Sequence, residues 1–203
     1  MGWTSYHADY YKNGTVDRKA ECDAYWEEGL NRGYFKIEKS IMKGSVYYAA
    51  ITPLQRKTEE RIIPILEEER ETFAVVMLTS VSIKDYFNFA YKLVDETMGP
   101  AQRNCPESIL KLLSPIDNEW ALEWRKNCWE NVRKEKEKRK LSTLPVGTKI
   151  AFACEFNTQV CSKGDEIVLE KRQFIVRGKR KLVWVGLGYK WKPSLISSNY
   201  KVL

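Results

Sequence analysis

Phe73-Ala-Val-Val-Met-Leu-Thr-Ser-Val81 decides how the first part of the chain reads. It is β-branched and almost continuously apolar, as a central strand covered on both faces requires. Its apolar run, Phe73 to Leu78, falls far short of the about 20 residues needed to cross a bilayer. Upstream, Tyr34–Ile41 and Ser45–Ile51 read as two strands joined by the turn Met42-Lys-Gly-Ser45, a hairpin. Asp17 or Thr15 caps a helix running to about Leu30, with Gly33 as its stop and Ala20, Ala24, Tyr25 and Trp26 facing the core. Residues 53–72 are polar and acidic, a loop or ragged helix that Pro64 keeps short.

Downstream, residues 84–92 are aromatic-dense and fit helix or strand equally. Cys105-Pro106-Glu107 opens a helix ending near Leu113. Ser114-Pro115-Ile116-Asp117 carries a cap, a proline at the first helical position and a capping-box acid, so a second helix is expected over about 115–138. Its apolar stripe is Trp120, Trp124 and Cys128, or Ala121, Trp124, Cys128 and Val132. The expected class is α+β: a small, mostly antiparallel sheet with helices on one side.

Residues 133–140 are a solvated charge run, and Leu141–Thr148 is rich in turn residues. A junction is expected there, giving domains 1–142 and 143–203. Beyond it, Val146–Cys154, Asp165–Lys171, Gln173–Arg177, Leu182–Leu187 and Leu195–Val202 are short strand patterns. Five strands in so few residues suggest an SH3-like or OB-like small β-barrel.

Charge follows the same division. The 203 residues carry a net +7. Residues 1–115 hold 15 basic and 17 acidic side chains, residues 116–141 hold 8 and 6, and residues 142–203 hold 11 and 4. The basic character is therefore concentrated at the carboxy-terminal end, a pattern that points to a polyanion. Lys171, Arg172, Arg177, Lys179, Arg180, Lys181, Lys190 and Lys192 are the candidate phosphate contacts, and Trp184, Tyr189 and Trp191 the candidate stacking rings. Cations for phosphates and flat faces for bases are what single-stranded nucleic acid needs. The plainer alternative is that the aromatics fill the barrel and the lysines protect its edges.

Other chemistry is narrowed by counting. His7 is the single histidine, which excludes any site built on two. Cys22, Cys105, Cys128, Cys154 and Cys161 include no Cys-x-x-Cys pair, so no metal or other cofactor is expected. An odd cysteine count without a signal peptide or myristoylation motif suggests reduced thiols in a cytoplasm. Gly186-Leu-Gly188 lacks the third glycine of a dinucleotide loop. A general acid–base site formed by His7 with Asp95 or Glu96 is the enzymatic alternative, a hydrolase. Tyr6-His7, the segment Lys43–Ala49 and Glu96 also resemble the His, Tyr and Glu order of ADP-ribosyl-transferring enzymes.

Met1-Gly-Trp-Thr-Ser-Tyr-His-Ala8, Asp17-Arg-Lys-Ala-Glu21, Asp95-Glu-Thr-Met-Gly-Pro100 and Glu119–Arg125 resemble an uncharacterised family of bacterial genomes, prophages and conjugative elements. The resemblance covers most of residues 1–150 and implies no established activity. It implies accessory cargo of a mobile element, a class that includes counter-defence proteins such as anti-CRISPR inhibitors. A charge of +7 argues against an acidic DNA mimic. The leading expectation is a non-enzymatic protein binding RNA, DNA or a nucleoprotein through its basic end, with a protein-contact surface at its amino-terminal end. An inhibitor of one protein partner without nucleic acid is the further alternative.

Overall fold

A computed structural model divides the chain into two compact units, Met1–Asn131 and Val132–Leu203. The structure describes residues 2–28, 33–58, 61–81, 88–96, 104–155, 157, 159–196 and 200–203. The class is mixed α+β, with mostly antiparallel strands and a few helices.

The first unit is built on one antiparallel sheet, in the order β1 (Thr4–His7), β9 (Asn88–Asp95), β8 (Phe73–Val81), β5 (Val46–Pro53) and β4 (Phe35–Lys43). β8 occupies the expected nine residues and the central position. The β4–β5 hairpin closes at Gly44, whose φ of +59° suits the residue without a Cβ. Small hairpins, β2 (Tyr11–Lys12) with β3 (Thr15–Val16) and β6 (Gln55–Lys57) with β7 (Ile62–Pro64), flank the sheet in sequence. The β6–β7 pair and a 3-10 turn at Glu67–Glu69 replace the loop or ragged helix expected over 53–72. Of the ambiguous residues 84–92, those from Asn88 onward are strand, and 84–87 lie outside the described residues.

Helix α1 (Arg18–Glu27) starts at Asp17, whose Oδ1 accepts from the amides of Lys19 and Ala20. Cys22 and Trp26 pack on Tyr47, Ala49, Ile51, Val75, Met77 and Phe89. Glu21, 2% exposed, accepts from the amides of Asp9 and Tyr10 at 2.6 and 2.7 Å and so ties the amino-terminal segment to the helix. The opposite parity, Tyr48, Ala50, Ala74 and Val76, is buried as well. Helix α2 (Glu107–Leu110) lies against β5, with Ile109 and Leu110 buried outside the α1 cluster. The expectation of helices on one side only is thereby corrected: both parities of β5 and β8 are apolar, and both faces are covered.

Helix α3 spans Glu119–Thr143 and starts later than the Ser114-Pro115 signal implies. Ser114 is drawn elsewhere: its Oγ accepts from the Thr72 amide, and its own amide donates to the Thr72 carbonyl. Asn118 takes the cap, accepting from the Ala121 amide at 3.1 Å. Ala121, Trp124 and Cys128 form the buried stripe, whereas Trp120 is 52% exposed. Burial pushes the Cys128 thiol up to about 11. The two units divide inside α3, at 131/132 rather than the expected 142/143. Leu141, 2% exposed, belongs to the second core and carries the end of the helix with it.

The second unit is a five-stranded antiparallel sheet in the order β13 (Tyr189–Trp191), β12 (Lys179–Gly186), β11 (Glu166–Val176), β10 (Lys149–Ala153) and β14 (Lys201–Val202). Among the described residues β13 and β14 are its edges, and no pairing between them closes a barrel. A 3-10 turn at Pro193–Leu195 precedes β14. Ile150, Phe152, Ile167, Leu169, Trp184 and Trp191 fill the core with Leu141 and Ile196. Complete burial contributes about 1.5–3 kcal/mol for each large apolar side chain. The two strands expected at 165–171 and 173–177 are one strand, because Lys171 points inward and Arg172 outward without a break in pairing.

Candidate nucleic-acid interface

The candidate interface is a consequence of strand register. β11 and β12 pair from Glu170↔Val185 to Val176↔Lys179. Arg177-Gly178 forms the two-residue turn, with φ of 52° and 72°. Positive φ at both central residues is the type I′ arrangement, whose twist matches that of the strands. β10 pairs with β11 only as far as Glu170, and β13 pairs with β12 only from Trp184 onward. Between these limits, Arg172 to Val183 form a two-stranded ribbon whose strands pair only with each other.

Opposed residues of an antiparallel pair share a face, and successive residues alternate. Trp184, directly opposite both Lys171 and Trp191, marks the core face. The other face then carries Arg172, Phe174, Val176, Lys179, Lys181 and Val183, with Lys190 beside them on β13. Lys190 Nζ lies 4.6 Å from the centre of the Phe174 ring, a cation–π contact. Arg180, Ile175 and Leu182 lie on the core-side parity but beyond the core, where Ile175 is 74% exposed. Arg177 stands at the tip.

This ribbon is strongly uncompensated in charge. No Asp or Glu follows Glu170 in the sequence, whereas nine Lys or Arg do. Arg172 is paired with Glu170, Nη2 to Oε2 at 2.6 Å. Among the described residues no carboxylate pairs with Arg177, Lys179, Arg180 or Lys181, all of them exposed. Their potentials add over a short length of chain, which is the condition for attracting a polyanion.

Three of the eleven expected contacts are removed by burial. Lys171 is 3% exposed, and its Nζ donates to the carbonyls of Leu141, Ser142 and Leu144, holding the end of α3. Burial lowers its pKa from the usual lysine value. It is a structural cation and no phosphate contact. Trp184 and Trp191 are 2% and 6% exposed core residues, and Trp191 Nε1 donates to the Gly186 carbonyl, so neither offers a face for a base. Tyr189 is exposed beside Gly188. Lys192 is exposed but lies past β13, off the ribbon. Phe174, an aromatic beside the cations in sequence but not among the stacking candidates, and Val183, which the sequence reading missed, form the apolar part of the basic face. Alternation through 172, 174 and 176 and through 179, 181 and 183 was the available signal.

His7, Asp95 and Glu96 are not brought together. His7 pairs with Asn88 at one end of β9, and Asp95 and Glu96 lie at the other end, about 23 Å along the strand. Glu96, 1% exposed, accepts from the Ala74 amide at 3.0 Å and from Arg125 Nη2 and Nε at 2.6 and 2.7 Å. Arg125 Nη1 in turn donates to the Ser114 carbonyl. This carboxylate is committed to holding β8, β9 and α3 together. Tyr47 and Tyr48, in the segment likened to ADP-ribosyl-transferring enzymes, are both buried in the sheet. Thr97–Pro100 of the quoted motif lie outside the described residues. Among the described residues no three potential metal ligands cluster, and no helix is long and apolar enough to cross a membrane.

Comparison with known proteins gives no match: no family model, no curated protein and no solved structure is significantly similar to the chain.

Proposed function

We propose that this chain is a non-enzymatic protein that binds nucleic acid or a nucleoprotein through the basic ribbon of its second unit. The observation that carries the reading is the row of exposed, uncompensated cations at Arg177, Lys179, Arg180 and Lys181, with Arg172 and Lys190 beside them. Clustered cations displace counterions from a phosphate backbone, and that release drives binding. In this proposal the small sheet serves as an SH3-like or OB-like barrel would, as a rigid base for the binding element, and the first unit offers a surface to a protein partner. The resemblance to mobile-element cargo supplies the setting: an accessory protein acting in the cytoplasm, with counter-defence of the anti-CRISPR kind as its role.

The test is salt-titrated binding of the full chain to labelled oligonucleotides. Log K should fall linearly with log salt, and Lys179→Gln with Lys181→Gln should together flatten the slope by about two units. Absence of binding at about 50–100 mM salt, where such contacts hold, would sink the reading.

A further inference from the structure

We infer that the polyanion is double-stranded B-form DNA and that the ribbon enters its major groove. This rests on the nucleic-acid reading above and narrows it to one partner.

Shape makes the first argument. The self-paired length, from Arg172↔Val183 to Val176↔Lys179, is five residue pairs. At about 3.3 Å per residue it reaches some 16 Å past the rest of the sheet. The major groove of B-DNA is about 12 Å wide and about 8.5 Å deep, and it admits a two-stranded ribbon. The major groove of A-form RNA is deep and too narrow for side chains to read.

The second argument is what the fold withholds. A single strand is held by stacking its bases on exposed rings. Trp184 and Trp191 are in the core, Phe174 on the ribbon's basic face is half-buried with Lys190 Nζ 4.6 Å from its ring centre, and Tyr189, the one exposed ring of the three candidates, lies outside the ribbon. The cations stay available when the stacking platform is lost, and a duplex, whose bases are already stacked, needs only the cations.

Third, the cations are placed for both backbone and bases. Arg172, Lys179, Lys181 and Lys190 share one face and suit the phosphates along one groove wall. Arg177 is carried by the turn at the leading end, where a guanidinium can bond guanine O6 and N7 in bidentate fashion.

The experiment compares the full chain on a DNA duplex of about 20 base pairs, on one of its strands alone and on the RNA duplex of the same sequence, at about 100 mM salt. The DNA duplex should bind at least about tenfold more tightly than either alternative. Methylating guanine N7, a major-groove atom, should weaken binding, and a minor-groove ligand should not compete. Arg177→Gln should remove the sensitivity to N7 methylation. Lys181→Gln, an exposed substitution outside the turn, should flatten the salt slope by about one unit even where the tip variant is unstable. Equal or tighter binding of the single strand or the RNA duplex overturns the inference and leaves nucleic-acid binding standing. Competition by the minor-groove ligand, with no effect of N7 methylation, overturns the groove assignment. Failure to bind any of the three overturns the nucleic-acid reading itself.

Discussion

Lys171 and Glu96 show how a charged residue can carry structure where sequence suggests chemistry. Lys171 sits in a run of cations, yet its ammonium satisfies three backbone carbonyls at the end of α3. Replacing it as Lys171→Met keeps the apolar stem and strands those acceptors. Urea unfolding should show a loss of about 1–3 kcal/mol, while the salt slope of DNA binding stays as in the wild type. A slope flatter by one unit would return Lys171 to the interface. Glu96 and Arg125 form a buried, bidentate pair, with side chains 0% and 14% exposed. Arg125→Met leaves a carboxylate buried without its partner, and the cost should be about 3 kcal/mol in denaturant unfolding. The adjacent carboxylates Asp95 and Glu96 leave a catalytic alternative open in sequence, because the partner that makes Glu96 structural, Arg125, is supplied by a helix 29 residues away.

Among the elements, those set by local rules were legible. β8 occupies Phe73–Val81 as its apolar run requires, and α1 begins at its Asp17 cap. α3 was misplaced at its start because Ser114, a good cap in isolation, is engaged by Thr72 from the entry to β8. The candidate interface was half legible. Its cations could be read directly, but an aromatic next to a cation looks the same whether it stacks on a base or fills a core. Only the register that aligns Lys171, Trp184 and Trp191 in one inward row separates the two. The turn of the ribbon supports its own prediction. Asn-Gly is the favoured type I′ pair, and Arg177 holds a φ of 52° that costs an ordinary L-residue about 1 kcal/mol. Arg177→Asn should therefore raise stability by about that amount in urea unfolding and weaken binding to duplex DNA. A variant that gains stability and binds as before would remove Arg177 from the interface.

At the scale of the whole molecule, the net charge of +7 matters less than where it sits. The first unit, Met1–Asn131, is net acidic, with 17 basic and 21 acidic side chains, whereas the chain after Glu170 holds no Asp or Glu at all. Binding should follow location and ignore the total. Lys12, Lys39 and Lys43 are exposed on the first unit, and neutralising them lowers the net charge by the same amount as neutralising Lys179, Arg180 and Lys181. The most direct measurement is a salt titration of binding to duplex DNA with both triple-Gln variants beside the wild-type chain. The ribbon variant should lose affinity at least about tenfold near 100 mM salt and flatten the slope by about three units, while the first-unit variant matches the wild type. Equal losses in the two variants, or none in the ribbon variant, would contradict a nucleic-acid interface on the β11–β12 ribbon.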